Sequence, residues 1–92
     1  MHQWRVTDQV IVVTGASMGI GLGTARCLLA RGARVALMAR DEARLEGVVD
    51  ALGSANALAV AVDVCDRSAV AAAFQRVNAH WGRLDGVINN AG

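Results

Sequence analysis

Four short apolar runs alternate with three helix-spaced apolar stripes along this chain, and that alternation constrains the fold more than any other feature. The first run, Val10-Ile11-Val12-Val13-Thr14, is continuous and β-branched. That is the pattern of a strand covered on both faces in a parallel sheet. Arg34–Ala39, Leu58–Val62 and Leu84–Ile88 predict three further strands. Between the first two, Ile20, Thr24, Cys27, Leu28 and Arg31 recur at helical spacing, and Gly32 stands where a helix C-terminal glycine belongs. Leu45, Val48, Val49 and Leu52 form a second stripe, with Asp41 as its N-cap and Gly53 as its stop. Val70, Ala73, Phe74, Val77 and Trp81 form a third, between Asp66 and Gly82. The order β-α-β-α-β-α-β predicts an α/β fold, a doubly wound parallel sheet of four strands with three helices on its two faces. Right-handed crossovers favour strand order 3-2-1-4. No repeat or linker divides residues 1–92, which make one domain at most.

Charge narrows the partners. The net charge is +1, the arginines are scattered and lysine is absent, so no global field points to nucleic acid or an anionic membrane. No apolar run approaches the ~20 residues that cross a bilayer. The start, MHQWRVTDQ, lacks a charged-then-apolar signal pattern. Cys27 and Cys65 fit neither a CxxC nor a metal-ligand spacing. They read as two reduced thiols of a cytoplasmic protein without a metal site. His2 and His80 have no partner at ligand spacing and read as surface residues.

The chemistry concentrates in residues 14–23, TGASMGIGLG, which hold four of the ten glycines. Glycine inside ordered structure costs stability, so these positions need unusual backbone angles or a surface without side chains. The stretch joins a buried strand to an amphipathic helix. A helix N-terminus offers free N–H groups and the positive end of the helix dipole, an anion site if the backbone can be approached closely. Gly15 lets the chain turn off the strand. Gly19 and Gly21 remove side chains where a pyrophosphate would lie, or where helix and strand must pack. Gly23, inside the first helical turn, costs up to ~1 kcal/mol relative to Ala and suits close helix packing. For the glycines alone, a tight turn with no ligand is the competing reading.

A strict G-x-G-x-x-G does not fit, because its third glycine would fall on Thr24. Thr14-Gly15-x-x-x-Gly19-x-Gly21 does fit a known pattern. Asp63-Val64 follows the third strand, and Asn89-Asn90-Ala91-Gly92 follows the fourth. Together the three motifs resemble the short-chain dehydrogenase/reductase superfamily, from about Val6 onward. The resemblance implies a Rossmann-type nucleotide-binding fold and an NAD(P)(H)-dependent oxidoreductase.

It also implies roles. Gly15, Ser17, Met18, Gly19, Ile20 and Gly21 would line the cofactor pyrophosphate and the adenosine ribose. Thr14 would tie the first strand to the Asn89–Gly92 loop. Asp63 would accept from the adenine amino group, with the Val64 N–H on a ring nitrogen; helix capping is the other role open to Asp63, although Asp66 is better placed for it. Asn90, Ala91 and Gly92 would pass under the ribose, a role compatible with a strand-tying turn. Cys65 would come near the adenine without chemistry of its own. At the end of the second strand, family members that use NAD place an acidic residue about 20 residues after the glycine loop. Here Ala39 and then Arg40 stand there. A carboxylate repels a 2′-phosphate and a guanidinium can bind it, so NADP(H) is favoured over NAD(H), with a solvated arginine as the alternative.

Hydride transfer in this superfamily uses a Ser, a Tyr and a Lys, the last two in a Y-x-x-x-K helix. These residues contain no Tyr and no Lys. The expectation is therefore the N-terminal portion of a nucleotide-binding domain, inactive alone, whose complete parent handles a small-molecule substrate and forms a homo-oligomer. The fourth strand would lie at an open, apolar sheet edge. A non-catalytic nucleotide-binding module and an interaction fragment without ligand remain as alternatives.

Overall fold

A computed structural model describes residues 5–90. His2, Ala91 and Gly92 lie outside the described residues. The elements are β1 (Val10–Thr14), α1 (Gly19–Ala30), β2 (Arg34–Ala39), α2 (Glu42–Leu52), β3 (Ala57–Ala61), α3 (Arg67–Trp81) and β4 (Gly86–Ile88). The strands are all parallel, in the order β3-β2-β1-β4 expected of right-handed crossovers.

Two cores sandwich the sheet. Val10, Val12, Ala36, Met38, Val60 and Val62 meet Ala73 and Val77 of α3 on one face. Ile11, Val13, Val35 and Leu37 meet Ala25 of α1 and Leu45 of α2 on the other. β1 is buried at every residue, which is why its sequence is an unbroken apolar run rather than an alternating one. Because α1 and α2 lie on one face and α3 on the other, the winding reverses between β1 and β4. In open α/β sheets, ligands bind in the crevice at such a reversal, outside the carboxyl ends of the strands.

The helix ends follow local chemistry. The Arg44 N–H donates to Asp41 Oδ1 at 3.1 Å and the Ala69 N–H to Asp66 Oδ1 at 3.1 Å, so both N-caps are as expected. Gly53 and Gly82 close α2 and α3 with φ of +60° and +75°.

Three expectations need correction. The buried face of α1 is Gly21 and Ala25, flanked by Leu22, Leu28 and Leu29, not the stripe through Ile20, Thr24, Cys27 and Arg31. The helix approaches the sheet closely through small residues, and Ile20 is 81% exposed. β3 begins one residue earlier, at Ala57, because Ala57 stands in register with Val35 of β2. β4 is three residues long, starting at Gly86. Just before it, the Asp85 carboxylate accepts the Val10 N–H at 2.7 Å through Oδ2, replacing a main-chain ladder bond. Arg83 grips the same carboxylate through Nε and Nη2, each at 2.8 Å. This fork and the Val10 N–H hold the Asp85 carboxyl below the usual carboxylate range. Beyond β1, the described residues offer β4 no strand partner, and Val87 is 50% exposed.

Candidate functional site

Hydrogen bonds between successive strand ends draw four loops along the carboxyl edge of the sheet. The Ala16 N–H donates to the Met38 carbonyl at 3.2 Å, joining the glycine loop to the end of β2. The Val62 N–H donates to the Ala39 carbonyl at 2.9 Å, joining the end of β3 to that of β2. On the other side, the Thr14 hydroxyl donates to Asn89 Oδ1 at 2.9 Å and accepts the Asn90 N–H at 2.9 Å. Asn90 Nδ2 in turn donates to the Gly15 carbonyl at 3.4 Å. Thr14 thus ties β1 to the loop after β4, as expected. The loops lie in the order Asp63-Val64, Arg40, Gly15–Gly21, Asn89-Asn90.

The glycines divide into distinct jobs. Gly15 has φ +59°, and a Cβ there would meet the Asn90 carbonyl oxygen at 2.6 Å. A Cβ on Gly21 would overlap the Gly15 carbonyl oxygen and meet Asn90 Nδ2 at 2.8 Å. These two glycines let α1, the loop and Asn90 pack backbone against backbone. Gly19 is different. Its φ is +58°, yet a Cβ there would meet nothing within 4 Å, so it borders open space. Gly23 also has nothing within 4 Å, so it does not serve close packing as expected; Gly21 does.

The open space sits over the first turn of α1. Met18, its N-cap, makes no side-chain capping bond, and the helix has no acidic residue in its first turn. The first carbonyl taken up is that of Met18, by the Leu22 N–H at 3.3 Å. The Gly19, Ile20 and Gly21 N–H groups have no acceptor among the described residues. Free donors at the positive end of a helix suit an anion that comes close to the backbone. Ser17 is half-buried beside them, and Met18 and Ile20 stand out as exposed apolar walls.

At the flanks, Arg40 is exposed and makes no hydrogen bond or ion pair among the described residues. Asp63 accepts the Cys65 N–H through Oδ1 at 2.9 Å, an Asx turn that leaves Oδ2 open and exposes Val64. Asp66 performs the helix capping. The structure therefore brings Gly15, Ser17, Met18, Gly19, Ile20, Gly21, Arg40, Asp63, Val64 and Asn90 onto one edge, while Ala91 and Gly92 lie outside the described residues. Arg44, whose guanidinium Nη1 lies 4.0 Å from Met18 Sδ, was not among the sequence candidates. Its one signal is the i, i+4 spacing from Arg40. The Asn90–Gly15 contact had no sequence signal. His80 is exposed and packs edge-on against Trp81, centroids 4.7 Å apart, away from the site.

The family model for short chain dehydrogenase matches residues 9–92. The chain belongs to the short-chain dehydrogenase family. Curated relatives of the chain include 11-beta-hydroxysteroid dehydrogenase-like 2 of Arabidopsis thaliana, 38% identical across 100% of this chain and 31% of that protein. Galactitol 2-dehydrogenase of Agrobacterium fabrum is 39% identical, across 95% of this chain and 34% of the relative. The 3-oxoacyl-(acyl-carrier-protein) reductase of Escherichia coli is 37% identical, across 91% and 34%. The chain thus spans about a third of the length of the curated relatives it matches. Among solved structures, the 3-ketoacyl-(acyl-carrier-protein) reductase of Brucella melitensis complexed with NADH superposes with a TM-score of 0.89 at 36% identity, over 95% of this chain and 35% of that one. No helix of the described residues is long and apolar enough to cross a membrane.

Proposed function

We propose that this short-chain dehydrogenase chain carries the dinucleotide-binding part of an oxidoreductase, that it takes NADP(H) in preference to NAD(H), and that the complete enzyme moves a hydride between NADP(H) and a carbonyl or alcohol. The observation that carries the reading is the open cradle at Gly19, bordered by unpartnered N–H groups at a sheet reversal. The NADH held by the Brucella reductase supports a nicotinamide dinucleotide as the ligand class.

The residues present fit that ligand. Backbone N–H groups of Gly19–Gly21 and the Ser17 hydroxyl would receive the pyrophosphate, with Gly15 and Gly21 keeping the floor bare. Asp63 Oδ2 would accept from the adenine amino group beside the Val64 N–H. Asn90, with Ala91 and Gly92, would pass under a ribose, while Met18 and Ile20 would wall the loop. Arg40 would face the ribose 2′ position, where Ala39 offers no carboxylate to repel a phosphate. When bound, the nicotinamide supplies the hydride chemistry. These residues contain neither Tyr nor Lys, so they hold the cofactor without the side chains that move the accompanying proton in the family. The small-molecule substrate and the homo-oligomer interface belong to the complete enzyme.

Fluorescence titration with NADPH and NADH tests the reading on wild type and Arg40→Asp. Wild type prefers NADPH by about tenfold or more, since a charge-assisted phosphate contact accounts for a difference of that order. Arg40→Asp reverses the preference. An unchanged preference refutes the role of Arg40.

A further inference from the structure

Arg44 reaches the glycine loop from a different element. It lies in the first turn of α2, where its backbone N–H is fixed by Asp41 Oδ1 at 3.1 Å. Its guanidinium crosses to α1 and brings Nη1 to 4.0 Å from Met18 Sδ, 26 residues away in sequence. Met18 is the N-cap that directly precedes Gly19, and its thioether carries no charge to this position. Arg44 brings one there.

The charges on this turn decide what a lone Arg40 could achieve. Asp41 and Glu42 follow Arg40 directly, so Arg40 alone leaves the turn net negative and poorly suited to a doubly charged phosphate. Arg44 brings it to neutrality. The ion pairs of the described residues do not involve Arg44, and a thioether is a weak acceptor. A guanidinium resting on sulfur gives up little when an oxyanion offers a fork of charge-assisted bonds instead.

We propose that Arg44 is a second specificity-determining residue for the cofactor 2′-phosphate, closing on it opposite Arg40, with Met18 as its resting contact. The inference rests on the reading of Arg40 as the residue facing the ribose 2′ position. Arg44 is exposed and its backbone bond does not depend on its side chain, so Arg44→Ala and Arg44→Lys keep the fold.

Calorimetric titration of the chain with adenosine 2′,5′-bisphosphate and with 5′-AMP tests it. Wild type binds the bisphosphate more tightly. Arg44→Ala weakens the bisphosphate about tenfold and leaves 5′-AMP unchanged, and Arg44→Lys restores part of the loss, because the charge returns without the fork. If Arg40→Ala weakens the bisphosphate but Arg44→Ala does not, the role of Arg44 is refuted and that of Arg40 stands. If Arg44→Ala weakens both ligands equally, Arg44 supports the loop, not the phosphate, and the proposal falls. If wild type does not favour the bisphosphate, the reading of Arg40 and the proposal built on it fall together.

Discussion

Alanine at Gly21 and alanine at Gly23 make a matched pair in one helix, two residues apart. Both replace a glycine of α1 by the best helix former, a gain of about 0.8–1.0 kcal/mol per site. What differs is the space. The Cβ of Gly23→Ala meets nothing within 4 Å, so the whole propensity gain is kept. The Cβ of Gly21→Ala overlaps the Gly15 carbonyl oxygen and comes to 2.9 Å from the carbonyl carbon, both backbone atoms that cannot rotate away. The helix must shift from the loop, an overpacking cost of about 1–3 kcal/mol. Propensity cancels between the variants, so their separation reads the overpacking alone. In a domain of this size 1 kcal/mol corresponds to a Tm shift of about 4–8 °C. Thermal unfolding followed by circular dichroism should place Gly23→Ala above wild type and Gly21→Ala at least ~4 °C below Gly23→Ala. Equal melting of the two, or Gly21→Ala as the more stable, would refute the backbone-to-backbone packing of α1 on the loop.

Two further outcomes follow from named contacts. Thr14→Val keeps the shape of a side chain only 8% exposed but leaves the Asn90 N–H without its acceptor. Urea unfolding should show a loss of about 1–3 kcal/mol, and binding of NADPH should weaken as the Asn89-Asn90 loop loosens. Asp85→Asn removes the fork from Arg83 while leaving an oxygen for the Val10 N–H. The folded-state pKa of Asp85 is depressed, so its contribution is fully present above the unfolded carboxylate range and fades as pH falls through the folded value. Urea midpoints of wild type and Asp85→Asn should therefore differ steadily near neutrality and converge in acid below the usual carboxylate range; a gap that widens in acid would contradict the assignment.

How much of this could be read from sequence depended on which force set each feature. β1 and β2 carry their full extents in sequence because burial on both faces demands unbroken apolar runs. The caps at Asp41 and Asp66 are equally legible, being local bonds between neighbours. Hydropathy does not mark the buried face of α1, because close approach selects for small size and Gly21 and Ala25 carry little of it. Hydropathy overextends β4, because it does not register that the Asp85 carboxylate takes over a ladder bond. The motif residues are legible as a group that the strand order gathers on one edge of the sheet. Their mutual contacts were not: Asn90 against Gly15 and Arg44 against Met18 depend on how distant elements approach, and no local pattern encodes that.

On the proposed reading, the four loops on the carboxyl edge of the sheet would hold one dinucleotide. Amide NMR of the chain titrated with NADPH tests it residue by residue. Saturable shifts are expected at Gly15, Ser17–Gly21, Arg40, Asp63, Val64 and Asn90, all with one dissociation constant. The absence of saturable shifts, or saturable shifts gathered on the outer face of α3 instead, would contradict it.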